Sequence, residues 1–303
     1  MTGAGGFIAA HLITRLKAEE VEILGLVRRR KNVRLINTDA TFVTADILDY
    51  PTLSQQIRHF QPEMVFHLAA VRPTGRSWSA IQQAYQTNLL GTMNLLRSLQ
   101  DTGCRAVVLL GSAAEYGRGA TPYRELDRLR PVSAYGAAKA AATMLAGLCW
   151  EYFKLPVVVL RPTLVYGPAQ GEHLFLSQLM RSLLYKRPFA MTAGQQYRDF
   201  VYVADVVEAL WRAANTPRAA GGVFNIGSGQ SVSLRDVAET VGALTGGTDL
   251  LRYGAKPYAA EEQFAYCVDI KLARQILQWQ PATSLEQGLT TTLQWYRQIL
   301  NKN

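Results

Sequence analysis

Tyr135 and Lys139 are the two residues whose types and spacing could carry proton chemistry. They lie four residues apart in the stretch Tyr135-Gly136-Ala137-Ala138-Lys139, and a helix would place both on one face. A free tyrosine has a pKa of about 10, and a neighbouring ammonium group lowers this pKa because it favours the phenolate. The pattern therefore predicts a tyrosine that exchanges a proton with a hydroxyl or ketone, supported by the lysine.

The loop before this helix contains a serine that could hold the reacting oxygen. Ser112 lies in Gly111-Ser112-Ala113-Ala114-Glu115-Tyr116-Gly117, directly after the apolar run Ala106–Leu110. Ligands bind at the carboxyl ends of the strands in open parallel α/β sheets. A serine at this position is therefore expected to bond a substrate oxygen beside Tyr135. The structural alternative for Ser112 is a turn or cap residue.

The histidines and cysteines do not support a competing chemistry. The four histidines have neither metal-ligand spacing nor triad spacing, so no metal site is expected. The three cysteines have no paired spacing, which argues against a disulfide framework and a zinc cluster. We expect a cytoplasmic protein with no secretory signal and no membrane span. These residues are His11, His59, His67, His173, Cys104, Cys149 and Cys267.

Short apolar runs alternate with helical patterns over the first two thirds of the 303 residues. This alternation predicts an α/β fold with a doubly wound parallel sheet, a Rossmann sheet, covered by helices on both faces. The predicted strands are Val21–Val27, Ala40–Ala45, Met64–Leu68, Ala106–Leu110 and Val157–Leu160. The predicted helices are Ile8–Glu20, Thr52–His59, Thr87–Leu99 and Ala134–Phe153.

A glycine-rich turn opens the chain. Gly3, Gly6 and Ala9 have the spacing G-x-x-G-x-x-A, and a helical pattern and then a strand pattern follow. Glycines let the backbone turn tightly and approach a pyrophosphate, which the N-terminus of the following helix stabilises. This context predicts a dinucleotide site. The predicted contacts in this segment are Gly3, Gly5, Gly6, Phe7 and Ile8.

The strand that should lead into these glycines is absent from the sequence, because only Met1 and Thr2 precede Gly3. Such a strand normally lies in the centre of the sheet. Its loss would leave buried edges of the neighbouring strands unpaired, at about 1–3 kcal/mol for each unsatisfied group. We therefore expect either that the natural chain starts further upstream or that the sheet is repacked.

Arginines occupy the place that distinguishes the two nicotinamide cofactors. NAD-binding proteins of this type carry an acid about 20 residues past the glycines, where it bonds the ribose hydroxyl. This sequence has Val27-Arg28-Arg29-Arg30 instead, and guanidinium groups suit a 2′-phosphate. Arg28 and Arg29 therefore favour NADP(H), and NAD(H) is the alternative.

The net charge of +9 fits an anionic ligand as well as simple solubility. The basic residues are scattered apart from the run Arg28-Arg29-Arg30-Lys31, and no nucleic-acid-binding motif is present. We therefore expect no nucleic-acid partner. A dinucleotide together with a nucleotide-sugar would use the positive charge equally well.

The final third of the chain has a different pattern, in which helical segments are joined by short strands. We predict a dinucleotide-binding domain of residues 1–165 with about 199–227, and a smaller α/β substrate-binding domain of residues 166–198 and 228–303. The helical segments are Leu174–Leu184, Leu234–Leu244 and Lys271–Leu277.

Together these features resemble the extended short-chain dehydrogenase/reductases, and more narrowly the NAD-dependent epimerase/dehydratase family that acts on nucleotide-sugars. The ordered matches extend over essentially the whole chain, and they include the glycine turn, Ser112 and the Tyr135–Lys139 pair. The further matching motifs are Ala45-Asp46-Ile47, His67-Leu68-Ala69-Ala70, Asn88-x-x-Gly91-Thr92, Arg161-Pro162, Val165-Tyr166-Gly167-Pro168, Arg198-Asp199-Phe200, Asn225-Ile226-Gly227 and Trp279-x-Pro281.

The resemblance implies roles for particular residues. Asp46 and Ile47 would flank the adenine, and Arg198 would approach the substrate diphosphate. Ser112 would bond the substrate while Tyr135 exchanges the proton, and Lys139 would support the tyrosine and hold the cofactor. The remaining implied cofactor contacts are Leu68, Ala69, Ala70, Asn88, Tyr135 and Pro162. The remaining implied substrate contacts are Arg72, Ala113, Leu164 and Tyr258; for Arg72 a solvated loop position is the alternative.

Departures from the family pattern bear on the reaction. Leu164 stands where relatives often carry a substrate-binding asparagine, and Ala259 stands where many carry an arginine. Both changes indicate an altered nucleotide-sugar site. Dehydratases place Asp-Glu after the catalytic hydroxyl residue, but this sequence has Ala113 and Ala114 there. Elimination of water needs a further acid and base, so dehydration is not expected.

Two reactions remain. The Arg28-Arg29 pair and the Gly111–Gly117 loop favour NADPH-dependent reduction of a 4-keto nucleotide-sugar with Tyr135 as proton donor. That loop resembles the corresponding loop of GDP-4-keto-6-deoxy-mannose reductases. The alternative reaction is that of an NAD-dependent nucleotide-sugar 4-epimerase.

The alternative from another class is a catalytically impaired dinucleotide-binding sensor, which would have no need of Ser112, Tyr135 and Lys139. The resemblance also implies a homodimer, because relatives usually pair through the helices that correspond to Thr87–Leu99 and Ala134–Phe153.

Overall fold

The computed structural model describes residues 1–29, 40–259 and 262–300, so Arg30 and Lys31 of the basic run lie outside the described residues. All five predicted strands are present, with bounds that differ by a few residues. The strands are β1 (Leu24–Val27), β2 (Thr41–Thr44), β3 (Met64–His67), β4 (Ala106–Leu110), β5 (Val157–Pro162), β6 (Leu164–Tyr166), β7 (Phe189–Ala190), β8 (Tyr197–Arg198), β9 (Phe200–Tyr202), β10 (Val223–Ile226), β11 (Val232–Ser233) and β12 (Leu251–Arg252).

The helices include every predicted one, and Ala134–Phe153 has the predicted bounds. The predicted helix Thr87–Leu99 differs, because its first residues form a π-helical turn, Gln86–Leu90, between two α-helices. The helices are α1 (Phe7–Leu16), α2 (Tyr50–Phe60), α3 (Trp78–Tyr85), α4 (Gly91–Leu99), α5 (Ala134–Phe153), α6 (Phe175–Leu184), α7 (Val203–Ala214), α8 (Leu234–Thr245), α9 (Lys271–Ile276) and α10 (Leu285–Leu300).

The main sheet is parallel and is covered on both faces. Strands pair in the order β10-β5-β4-β3, and β1 pairs with β2. Along β4, Val108 packs with α1 and α7 in one core cluster, whereas Val107 and Leu109 pack with α2, α4 and α5 in another. Successive residues of a strand point to opposite faces, so this alternation confirms the predicted α/β fold with a sheet between two helical layers.

Thr2 lies in the centre of the sheet, between the two groups of strands. It is bridged in parallel to Leu26 of β1 and to His67 of β3. The facing edges of β1 and β3 are therefore not left entirely unpaired, which corrects the expectation from the sequence. Thr2 and its neighbours pair with the carboxyl-terminal halves of these two strands. The amino-terminal halves, at Leu24 and Met64, line an open groove of about 470 Å³.

The last third of the chain packs around a separate apolar cluster. Its members include Leu179 of α6, Val237 of α8 and Leu289 of α10. Tyr166 of β6 and Phe200 of β9 belong to the same cluster, and these two strands pair in parallel. The region therefore forms its own core against the carboxyl end of the sheet, and the bounds of the two domains stay a prediction.

Residues 1–29, 40–259 and 262–300 contain no helix with the length and apolar character needed to cross a bilayer. In the same residues, no group of three or more His, Cys, Asp or Glu side chains is arranged to hold a metal ion.

Candidate active site

The first turn of α5 presents Tyr135, because Ser133 fixes where the helix begins. The Ser133 hydroxyl accepts a hydrogen bond from the Gly136 N–H at 3.1 Å, as an N-cap does. Gly136 lies so close to the preceding loop that a Cβ there would be 2.4 Å from the Ala114 carbonyl oxygen. The cap and the glycine together hold Tyr135 against the loop that carries Ser112.

Lys139 lies one turn further along α5 and is buried, with 5% of its surface exposed. Its ammonium donates a hydrogen bond of 2.6 Å to the Leu110 carbonyl oxygen at the end of β4. Tyr135 and Lys139 therefore lie on one face of α5, as predicted. The ammonium of Lys139 points toward the end of β4.

Ser112 follows β4, and its side chain both caps a turn and contacts Tyr135. Its hydroxyl accepts a hydrogen bond from the Ala114 N–H at 3.1 Å, which makes it the cap of a short 3-10 turn. The same side chain is hydrogen-bonded to Tyr135. One oxygen thus fixes the loop and touches the phenol.

The pKa of Tyr135 differs from the sequence expectation. Burial raises this pKa above the ordinary value, and the hydrogen bond from Ser112 and the charge of Arg72 oppose the effect. The ammonium of Lys139 was expected to lower the pKa of Tyr135. Burial also lowers the pKa of Lys139 itself, to about 8, and the charge of Glu115 opposes this shift. Desolvation disfavours the charged form of both groups, so the ligand-free site holds a neutral phenol.

A buried ion pair supports the Ser112 loop, and sequence patterns did not single it out. The Glu115 carboxylate accepts a hydrogen bond from Arg161 at 2.8 Å, from Thr143 at 2.8 Å and from the Ser112 backbone N–H at 2.9 Å. Glu115 and Arg161 are 0% and 3% exposed. The spacing Ser112-x-x-Glu115 is that of a capping box, and this signal could have identified the carboxylate.

The tyrosine pocket is a cavity of about 440 Å³ between the carboxyl end of the sheet and the C-terminal region. Of the predicted substrate contacts, Arg72, Ser112, Tyr135, Leu164 and Arg198 line it. Gln263 and Tyr266, which were not predicted, line it as well. The predicted cofactor residues Ile8 and Pro162 also face this pocket.

Two predicted substrate contacts lie elsewhere. Ala113 is completely buried in the core beneath the loop, because it points away from Ser112. The Tyr258 hydroxyl accepts a hydrogen bond from the Gln195 N–H at 3.1 Å, and its ring packs on Phe264. Neither side chain is among those that line the tyrosine pocket.

The glycine cavity is a second cavity of about 270 Å³ at the N-terminus of α1. It adjoins the tyrosine pocket, because Gly6 and Val71 line one cavity while Ile8 and Arg72 line the other. The predicted cofactor contacts that line the glycine cavity are Gly3, Gly5, Gly6, Arg28, Arg29, Asp46, Ile47, Leu68, Ala69 and Ala70.

The shape of the glycine cavity fits a dinucleotide. Gly3 has a left-handed φ of +66°, and a Cβ at this position would lie 2.6 Å from the Ala69 backbone nitrogen. Only glycine therefore lets the two loops approach. Helix α1 follows with Gly6 as a cap that has no side chain to satisfy the first N–H groups, which leaves them for an anion.

Two other predicted cofactor contacts have structural roles. Asn88 is buried, and its side chain forms two hydrogen bonds of 2.9 Å with the backbone N–H and carbonyl of Val71. It therefore shapes the loop after β3 and does not face the cavity. Phe7 packs edge-on against His11, with ring centroids 5.5 Å apart, and is not among the residues lining either cavity.

Comparison with known proteins agrees with this geometry. Residues 1–227 match the NAD dependent epimerase/dehydratase family. The chain therefore belongs to this family and is an NAD-dependent nucleotide-sugar enzyme.

Relatives of known name are similar over nearly their full length. The chain is 32% identical to a UDP-glucose 4-epimerase of Mycolicibacterium smegmatis, with 98% of this chain and 97% of the relative covered. The structure of a Thermotoga maritima UDP-glucose 4-epimerase with UDP-glucose has a TM-score of 0.91 at 26% identity, with 99% and 98% covered. MoeE5 in complex with UDP-glucuronic acid and NAD has a TM-score of 0.89 at 31% identity, with 98% of each chain covered.

These relatives correct two expectations. They do not support a preference for NADP(H), because NAD is the cofactor named in the MoeE5 complex. They also give no support to a likeness to GDP-4-keto-6-deoxy-mannose reductases. The named relatives favour the 4-epimerase alternative over the reductase.

Proposed function

We propose that the protein is an NAD-dependent 4-epimerase of a UDP-sugar. The observation that carries the proposal is the hydrogen-bonded pair of Ser112 and Tyr135, which faces the tyrosine pocket beside the glycine cavity. The UDP-glucose 4-epimerases of Mycolicibacterium smegmatis and Thermotoga maritima support this choice of reaction.

Tyr135 moves the proton in this proposal. Its phenol is neutral in the ligand-free protein because burial raises its pKa, so it becomes a base only when positive charge is added nearby. Bound NAD supplies that charge and a hydride acceptor for C4 of the sugar. Tyr135 would accept the proton of the 4-hydroxyl, held by Ser112, and would return a proton to the same oxygen when the keto sugar is reduced again.

Inversion at C4 requires the keto sugar to present its other face before reduction. The tyrosine pocket has about 440 Å³ of space, and Leu164 gives it an apolar wall in place of the amide of many relatives. Such a wall makes no directional hydrogen bond to one orientation of the ring. Leu164 therefore does not fix the ring in one orientation.

The residues around Tyr135 fit epimerisation better than dehydration. Among the described residues that line the tyrosine pocket, none carries a carboxylate. Loss of water from a 4-keto sugar needs an acid and a base besides the tyrosine. Glu115, the nearest acid in sequence, is buried and paired with Arg161.

The glycine cavity is assigned to NAD(H) in this proposal. Gly3 and Gly6 would hold the diphosphate, Asp46 and Ile47 would flank the adenine, and Lys139 would support the nicotinamide ribose. Arg28 and Arg29 are exposed at the rim of the cavity. Titration of the protein with NAD and NADP, followed by intrinsic fluorescence, measures the preference directly.

The test of the reaction is conversion of UDP-glucose, UDP-galactose and UDP-glucuronate by the NAD-loaded protein, followed by proton NMR of the anomeric signals. We expect each reactive sugar to reach a mixture of its two C4 epimers without net change in NAD. Stoichiometric oxidation of NADPH with a 4-keto UDP-sugar, and no epimerisation, would support the reductase instead.

We also propose that the protein is a homodimer. Helices α3 and α5 pack side by side and expose large apolar side chains, with Trp78 85%, Met144 66% and Tyr152 72% exposed. Large apolar side chains exposed on two packed helices are typical of an interaction surface. Met144→Glu should convert the dimer into a monomer in light-scattering measurements, whereas Leu126→Glu, at a side chain 99% exposed away from these helices, should not.

A further inference from the structure

Arg72 and Arg198 are the cations that line the tyrosine pocket among the described residues. Arg198 is already compensated, because it forms an ion pair with Glu262 and donates a hydrogen bond of 2.7 Å to the Gln263 carbonyl oxygen. Arg72 has no carboxylate within ion-pair distance in the part of the chain that the structure describes. The pocket therefore holds one paired guanidinium and one, that of Arg72, which is exposed to solvent and has no carboxylate partner among the described residues.

Arg72 lies directly beside the reacting group. Its guanidinium carbon is 5.7 Å from the ring centroid of Tyr135, and its charge also acts on Tyr266 on the same wall. C3 and C5 both neighbour C4, and a sugar bound with its C4 oxygen at Tyr135 and C5 on the side of Arg72 brings the C5 substituent close to the guanidinium.

We propose that Arg72 binds the carboxylate of a hexuronate, so that a UDP-hexuronate is the preferred substrate. This inference rests on the proposed 4-epimerase function. A carboxylate offers two oxygens to the fork of a guanidinium, whereas the hydroxymethyl group of a hexose offers one neutral oxygen and leaves the charge uncompensated. MoeE5, at 31% identity, is known in complexes with UDP-glucuronic acid and with UDP-glucose, so both sugar classes have to be compared directly.

The test compares UDP-glucuronate with UDP-glucose on the NAD-loaded wild type, Arg72→Gln and Arg76→Gln. Arg76 lies on the same loop, is exposed and does not line the pocket, so it is the matched control for loss of one positive charge. Both kcat/KM for C4 epimerisation and Kd by calorimetry are measured for each sugar, with NAD affinity measured separately.

We expect the wild type to favour UDP-glucuronate by at least about tenfold. Arg72→Gln should lower kcat/KM and affinity for UDP-glucuronate by about 10–100-fold, the effect of one charge-assisted hydrogen-bonding pair. UDP-glucose should change by no more than about twofold, and Arg76→Gln should behave as the wild type.

Four results would overturn the inference. Equal losses for both sugars would mean that Arg72 acts on the phenol, and weaker NAD binding would mean that it serves the cofactor diphosphate. A wild type that epimerises UDP-glucose but disfavours UDP-glucuronate would retain the proposed function and refute the hexuronate. If neither sugar is epimerised, the proposed function fails. In that case the Kd values still test Arg72, and equal Kd values for the two sugars would refute its role in binding the carboxylate.

Discussion

The glycine cavity and the tyrosine pocket are neighbours, but they are made from different parts of the chain. The shape of the glycine cavity depends on a close approach of two backbone segments, at Gly3 and Ala69. The tyrosine pocket is formed by the long side chains of Arg72, Tyr135 and Arg198, which come from distant segments. Backbone fixes the shape of the first cavity, and side chains set the chemistry of the second, so mutations should separate cofactor binding from turnover.

Tyr135→Phe should give the largest effect and should act on the pocket alone. Loss of the proton-transfer group is expected to lower kcat by about 10²–10⁴-fold. NAD affinity should change by less than about twofold, because the hydroxyl faces the tyrosine pocket and not the glycine cavity. Turnover measured by stopped flow or NMR tests the effect on kcat, and a fluorescence titration with NAD tests the effect on NAD affinity. Retained turnover would remove Tyr135 from the reaction.

Glu115→Gln should lower the free energy of unfolding, because the buried ion pair of Glu115 and Arg161 supports the loop beside the tyrosine pocket. It leaves the guanidinium of Arg161 without its partner, which costs about 3–5 kcal/mol in the free energy of unfolding. The control is Glu63→Gln in the exposed pair with Arg105, at 3.6 Å and 85% and 50% exposed, where less than about 1 kcal/mol is expected. Urea unfolding of both variants measures the difference, and equal effects would contradict a structural role for the buried pair.

Gly3→Ala should damage the glycine cavity and leave the chemistry of the pocket intact. The added Cβ would meet the backbone of Ala69 at 2.6 Å, so we expect NAD affinity to fall by about 10–100-fold on a strain of about 1–3 kcal/mol. Gly103→Ala is the control, because Gly103 has a similar φ of +71° with nothing within 4 Å. Similar losses of NAD affinity in both variants would show that the backbone conformation, and not the contact with Ala69, is responsible.

Lys139→Met should have the smallest effect, a change in the free energy of unfolding that depends on pH with a known sign. The pKa of Lys139 is lowered from 10.5 to about 8 by burial, so between these pH values the unfolded chain binds more protons and wild-type stability rises with pH. The buried ammonium should cost about 1–3 kcal/mol at pH 7. The variant should therefore be more stable than the wild type at pH 7, with the difference closing by pH 10.5 in urea unfolding. A difference that does not depend on pH would refute the buried-charge explanation.

Elements of both the glycine cavity and the tyrosine pocket could be predicted from the sequence because they depend on local patterns. The glycine spacing, the run before Ser112 and the bounds of α5 follow from neighbouring residues, and all are present. The helices α3, α7 and α10 were not predicted, because their apolar faces resemble those of other packed segments. The first strand was predicted to be absent with its neighbours' edges unpaired, whereas Thr2 bridges both.

The cofactor prediction shows where a local pattern was not supported by the relatives. Arg28 and Arg29 favoured NADP(H) by residue type, but both side chains are exposed at the rim of the cavity, and the related MoeE5 binds NAD. A guanidinium near the expected position does not by itself define a phosphate site, because an exposed arginine can remain solvated.

The sequence by itself determined the α/β fold, the glycine turn and the placement of Tyr135 and Lys139 on one helix face, because each depends on spacing along the chain. Only the tertiary structure decided that Asn88 supports a loop, that Ala113 and Tyr258 lie outside the pocket and that Glu115 pairs with Arg161. It also decided that burial raises the pKa of Tyr135. These outcomes depend on which distant segments meet and how much water they exclude, and neither is encoded in local spacing.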